Sequence, residues 1–129
     1  MVRAAVLVLL LAATALADEA ASARRYVNIE KNARGERKVL PAWKTYADMK
    51  ACAEYGARRL RAGAGNQAFQ GGPCVDGRAA DLAHGTAVDV LPHDEATCGP
   101  LAKVHVVAGD ASGRTACVPP EQLSRDPVP

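Results

Sequence analysis

The sequence predicts a small α+β domain that is mainly β, with one amphipathic helix leading into an antiparallel barrel. Three observations carry this. Gly85-Thr86-Ala87-Val88-Asp89-Val90-Leu91, Lys103-Val104-His105-Val106-Val107 and Ala116-Cys117-Val118 are short alternating runs separated by turn residues. Upstream, Met49, Cys52, Ala53, Gly56, Ala57 and Leu60 recur at helical spacing. All four cysteines, Cys52, Cys74, Cys98 and Cys117, lie in the exported part, between this helical run and the last strand inclusive.

The chain opens with the pattern of a secretory signal over residues 1–17. Arg3 supplies the positive start, Ala4 to Leu16 the apolar run, and Ala15-Leu16-Ala17 the small-x-small cleavage pattern. That run is about 13 residues, short of the roughly 20 a membrane span needs. The expected product is an exported chain of 112 residues with no span, periplasmic or extracellular. A chain of that length makes one domain with a modest core. An even cysteine count in an oxidising compartment points to two disulfides. Three connectivities are open. We prefer Cys52–Cys74 with Cys98–Cys117, because each then closes a loop of about 20 residues and contributes roughly 3 kcal/mol by the loop-entropy argument.

Residues 18–41 read as a basic arm, either flexible or folded as a hairpin around Asn32-Ala33-Arg34-Gly35. The helical segment is 42–65. Its helix is expected over 46–62, with Thr45 as N-cap, Asp48 three residues on, Glu54 paired to Arg58, and Gly63 and Gly65 past the end. Residues 66–82 form a glycine-rich loop, in which Asn66 to Phe69 suits one helical turn. It lacks the strand, helix and lysine of a phosphate loop. The barrel occupies 83–123. Pro119-Pro120 ends its last strand, Pro120 to Leu123 suits a helical turn, and 124–129 is a loose tail.

Three pieces of the barrel segment carry a resemblance. They are Gly85-Thr86-x-Val88-x-Val90-Leu91, Lys103-Val104-x-Val106 and Gly113-x-x-Ala116-Cys117-Val118-Pro119-x-x-x-Leu123. Together they resemble the SH3-like barrel of bacterial extracytoplasmic proteins, over about 41 of the 112 exported residues. The resemblance implies an SH3-like fold and a binding or structural module. Some members dock peptides, and others hold cell-wall peptide or act as envelope spacers. Two departures matter. Tyr26, Trp43, Tyr46, Tyr55 and Phe69 all lie outside 83–123, and Cys117 stands where the family often has tryptophan. A proline-peptide groove, which needs aromatic walls, is therefore not expected.

Charge is uneven. From Arg24 to Arg61 there are eleven Lys/Arg against four Asp/Glu, and beyond Arg61 four against eight. A basic half is compatible with an anionic envelope partner, but a solvated helix face with a disordered arm is the preferred reading. Export and the near-zero total disfavour nucleic acid. If a partner binds, Trp43, Tyr46, Tyr55, Arg58, Arg59 and Arg61 are the candidate contacts. The same aromatics could instead close the open side of the barrel as core.

No catalytic residue is assigned. A thiol hydrolase needs a free cysteine beside a histidine, whereas the cysteines are expected in disulfides. His84, His93, Asp94 and His105 lack the spacing of a structural zinc site, so no metal or other cofactor is expected. No nucleophile elbow, phosphate loop or paired acid is marked. The leading expectation is a non-enzymatic module of the bacterial cell envelope, with cell-wall material or an envelope protein as partner. A small secreted inhibitor or effector is the alternative, and an unrecognised hydrolase the weaker one.

Overall fold

A computed structural model describes residues 23–129 of the chain. The expected signal peptide, and the start of the arm, lie outside the described residues.

The domain is a seven-stranded antiparallel sheet with one long helix, an α+β architecture. The strands are β1 Arg24–Val27, β2 Leu40–Trp43, β3 Arg78–Leu82, β4 Ala87–Val90, β5 Ala102–Val106, β6 Thr115–Val118 and β7 Leu123–Ser124. The helices are α1 Tyr46–Arg61, α2 Pro73–Asp76 and α3 Glu95–Cys98. The three expected strands are β4, β5 and β6, and they are hydrogen-bonded neighbours. Pro120–Gln122 forms a single 3-10 turn after them.

The remaining strands correct the expected boundaries. The sheet is not confined to 83–123, and it is open rather than closed, in the order β3-β2-β6-β5-β4-β1-β7. The described part of the expected arm, residues 23–41, is not free. β1 pairs with β4 and β7, with Val27 opposite Leu123. The expected turn does form: Asn32 Oδ1 accepts from the backbone N–H of Arg34 and Glu36, and Gly35 takes the positive φ of 78°. Its flanks do not pair as a hairpin, because Tyr26 and Val27 are already taken by other strands. Residues 66–82 are likewise not all loop, since they hold α2 and β3.

The sheet has to curl. β3 ends at Leu82 and β4 begins at Ala87, a reach of roughly 18 Å at full stretch. Laid flat, β3 and β4 would stand four strand spacings apart, roughly 19 Å. The connection is also shortened by a turn, with the Thr86 N–H donating to the Ala83 carbonyl at 3.1 Å. The strands therefore wrap around their own inner face. That face is the main core: Val27, Leu82, Val88, Val104, Val106 and Val118 are almost fully buried there, with Ala42, Ala80 and Ala116 between them. Burying each of the larger side chains contributes about 1.5–3 kcal/mol.

A second, smaller core lies on the outer face beneath α1. Strand alternation divides β2 and β6 between the two cores, with Ala42, Ala116 and Val118 inward and Trp43 and Cys117 outward. Trp43 and Cys117 are register partners across β2 and β6. Around them gather Cys52, Cys74, Cys98 and Leu101. Disulfides join Cys52 to Cys74, tying α1 to α2, and Cys98 to Cys117, tying α3 to β6. Two disulfides mark an oxidising, non-cytoplasmic location. Among the described residues no helix is long and apolar enough to cross a membrane.

Candidate binding surface

α1 begins as its sequence requires. The Thr45 hydroxyl oxygen accepts from the Asp48 N–H at 3.0 Å, and the hydroxyl donates to Asp48 Oδ2 at 2.8 Å. It ends in a Schellman motif: the N–H of Gly63 donates to Leu60 and that of Ala64 to Arg59. Gly63 supplies the left-handed residue this motif needs, at φ 89°.

The buried stripe of α1 is rotated from the one its spacing suggests. Cys52 and Gly56 are buried and Tyr46, Met49 and Tyr55 pack against the small core, while Ala53 is exposed and Leu60 is 49% exposed. The rotation follows from three aromatic–glycine contacts. A Cβ built on Gly99 would come within 2.7 Å of the Tyr46 ring, and one on Gly72 within 3.1 Å of the Tyr55 ring. A Cβ on Gly56 would overlap the Phe69 ring. Missing side chains thus let the helix and its neighbouring loops meet around aromatic rings.

The six candidate contacts separate accordingly. Trp43 is 6% exposed, so it belongs to the core rather than to a surface. The Arg78 guanidinium covers its ring at 5.8 Å from the centroid. Tyr46 and Tyr55 are half-buried, beneath Lys50 and Arg59, each 5.2 Å from a ring centroid. Arg59 is a strut, since Nη1 donates to the Gln70 carbonyl at 2.6 Å and the Ala68 carbonyl at 3.3 Å. Arg58 and Arg61 are exposed and make no side-chain hydrogen bond or ion pair among the described residues. Glu54 and Arg58 do not close the expected ion pair.

Other cations of the basic half are also structural. Arg24 pairs with Asp89 at 2.6 Å, and this carboxylate holds the guanidinium more firmly protonated than usual, through the hydrogen bond first and its charge second. Arg37 donates to the Ile29 carbonyl and Lys44 to the Asp76 carbonyl. On the C-terminal half of α1, Arg58 and Arg61 are exposed on the side turned away from Gly56, while the 49%-exposed Leu60 lies one turn after Gly56, against which the 44%-exposed Phe69 packs. Sequence reasoning placed Leu60 inward and passed over Phe69. The signal that could have found them is Gly56, a glycine inside a helix, which costs about 1 kcal/mol relative to alanine and so implies a close neighbour.

The histidines are dispersed. His105 lies on β5 opposite Thr115 and Asp89. His93 lines a shallow pocket of about 350 Å³ with Leu91, Pro100 and Lys103, and no carboxylate is among its walls. Asp94 caps α3, accepting from the Thr97 N–H at 3.2 Å, and accepts from Lys103 Nζ at 2.8 Å. The Lys103 hydrogen bond, then the Thr97 amide, hold the Asp94 carboxyl below the usual carboxylate range. Among the described residues no three His, Cys, Asp or Glu gather as metal ligands. All four cysteines are oxidised, so none offers a thiol nucleophile. Comparison with family models, with curated proteins and with solved structures gives no match for this chain.

Proposed function

We propose that this chain is an exported, non-enzymatic binding or structural module of the bacterial cell envelope, SH3-like in its curled sheet. Its contact surface is the C-terminal half of α1, and its partner is anionic cell-wall material or an envelope protein. One observation carries the reading. Arg58 and Arg61 are exposed with no side-chain hydrogen bond or ion pair among the described residues, and the same half of the helix also carries the half-exposed Leu60 and, over Gly56, Phe69; a disulfide and three aromatic–glycine contacts hold that helix in place. Free guanidinium groups favour phosphate and carboxylate, and half-exposed apolar side chains add area that salt does not screen.

The test is co-sedimentation of the oxidised protein with isolated cell-wall sacculi at low and high salt. Retention in both supports recognition of wall structure. Release by salt, and loss in Arg58→Glu/Arg61→Glu, would mean that charge alone binds. No sedimentation at either salt overturns the wall reading and favours a second one, a small secreted inhibitor or effector. The same locked surface supports that role, since a rigid stapled domain loses little entropy on docking to a protein.

A further inference from the structure

His84 sits in the four-residue connection between β3 and β4, and both of its ring nitrogens are engaged. Nδ1 lies 2.9 Å from the backbone nitrogen of Ile29. Nε2 lies 2.7 Å from the main-chain oxygen of Pro129. The two partners fix the tautomer. An amide N–H only donates, so Nδ1 has to present a lone pair, and a main-chain oxygen only accepts, so Nε2 carries the hydrogen. The imidazole here takes the place of a strand. β1 stops at Val27, the Asn28 N–H donates to Gln122, and the next amide, Ile29, finds its acceptor in the ring. Ile29 is half-buried against the main core, and its carbonyl accepts from Arg37.

We propose that His84 is an acid-released latch: its neutral ring holds the start of the 28–39 loop, and protonation at Nδ1 lets that loop go. A proton on Nδ1 would point at the Ile29 N–H across 2.9 Å, two donors with no acceptor between them. One of them has to turn away. The Nε2–H bond to Pro129 survives protonation, so the effect falls on one side of the ring. The loop that loses its anchor carries exposed Lys31, Arg34 and Lys38.

The charged groups on the segments that meet here are Glu30, Lys31, Arg34, Glu36, Arg37 and Lys38 on the loop, Glu121 on the 3-10 turn, and Arg125 and Asp126 on the tail. Asp81 lies on β3, and Asp89 on β4 is already paired with Arg24. None makes a hydrogen bond or ion pair with the imidazole. The latch rests on the conflict between two donors 2.9 Å apart and is independent of the surface on α1.

The experiment is nitrogen NMR of the imidazole together with amide hydrogen exchange on the oxidised protein, from about pH 8 to about pH 5, across the ordinary histidine range. At the upper pH, Nδ1 of His84 should carry no proton and the Ile29 amide should be protected. At the lower pH, Ile29 should lose protection by about tenfold more than the Val104 and Val106 amides, after correction for intrinsic exchange. In His84→Asn, a side-chain oxygen near the Nδ1 position accepts without titrating, and Ile29 should be equally protected at both pH values. A proton on Nδ1 at the upper pH overturns the proposal. So does unchanged Ile29 protection over a protonated ring, or a full acid response in His84→Asn. Should that variant fail to fold, the wild-type tautomer and exchange data decide alone.

Discussion

Phe69 lies so close to Gly56 that a Cβ on the glycine would come within 2.0 Å of the edge of its ring. A glycine in the third turn of a helix is otherwise a weakness, and here it is the seat of an aromatic side chain from the following loop. Gly56→Ala ought to gain up to about 1 kcal/mol of helix propensity. The overlap reverses the sign, and we expect a net loss of about 1 kcal/mol as the ring is displaced. In a Phe69→Ala background the same substitution should stabilise. Urea unfolding of the four proteins of this cycle measures the coupling, and additive effects would show that the contact does not matter.

The disulfides should differ in what their loss exposes. Each closes a loop of similar size, with sequence separations of 22 and 19. Cys52→Ala/Cys74→Ala and Cys98→Ala/Cys117→Ala should each cost roughly 3 kcal/mol. Only the second pair removes a direct neighbour of Trp43 on β6. It should shift the tryptophan emission to the red in the folded state, whereas the first pair frees α2 with a smaller shift. Fluorescence spectra below the unfolding transition distinguish them.

The three arginines of α1 are expected to separate by readout. Arg59→Ala removes donors to the Ala68 and Gln70 carbonyls and should lower stability by about 1 kcal/mol. Arg58→Ala and Arg61→Ala should stay within about 0.5 kcal/mol of wild type. Thermal melts beside sacculus binding test this, and a binding loss confined to Arg58 and Arg61 is the outcome that supports the proposed surface.

Asp94 predicts a step in acid stability. Its folded carboxyl titrates below the ordinary range, so its contribution is complete above that range and fades as the pH falls toward the folded value. Asp94→Asn should melt earlier than wild type at neutral pH, and the difference should shrink as the pH falls below the ordinary carboxylate range, about pH 4. A difference that stays constant with pH would mean that the Lys103 pair contributes nothing.

Much of the fold was legible in the residues. Val88, Val104, Val106 and Val118 alternate as strands do, and Thr45, Asp48 and Gly63 delimit α1 by their hydrogen-bonding chemistry. β2 and β3 were not legible, for physical reasons. β2 contains Pro41, which weakens any strand assignment, and β3 is built around Ala79 and Ala80, which favour no strand on their own. Both are strands because of what they pair with. The candidate surface was half legible: Arg58 and Arg61 were visible as exposed cations. The role of Arg59 depends on carbonyls 9 and 11 residues away, and the burial of Trp43 on an outer face that only the full sheet creates.

The pairing of Tyr26 with Ser124 and of Val27 with Leu123 has a consequence for assembly in time. The first and last strands of the domain are neighbours, so the first strand waits for nearly the whole chain before its outer edge is covered. Both sulfur bridges, by contrast, span short stretches and can close while that edge is still bare. For a polypeptide delivered N-terminus first across a membrane, the Cys52–Cys74 bridge can close while the rest of the chain is still arriving, and the zipper between the ends would form last. The interval between those two events is when a bare strand edge is open to mispairing with another copy, or to a chaperone.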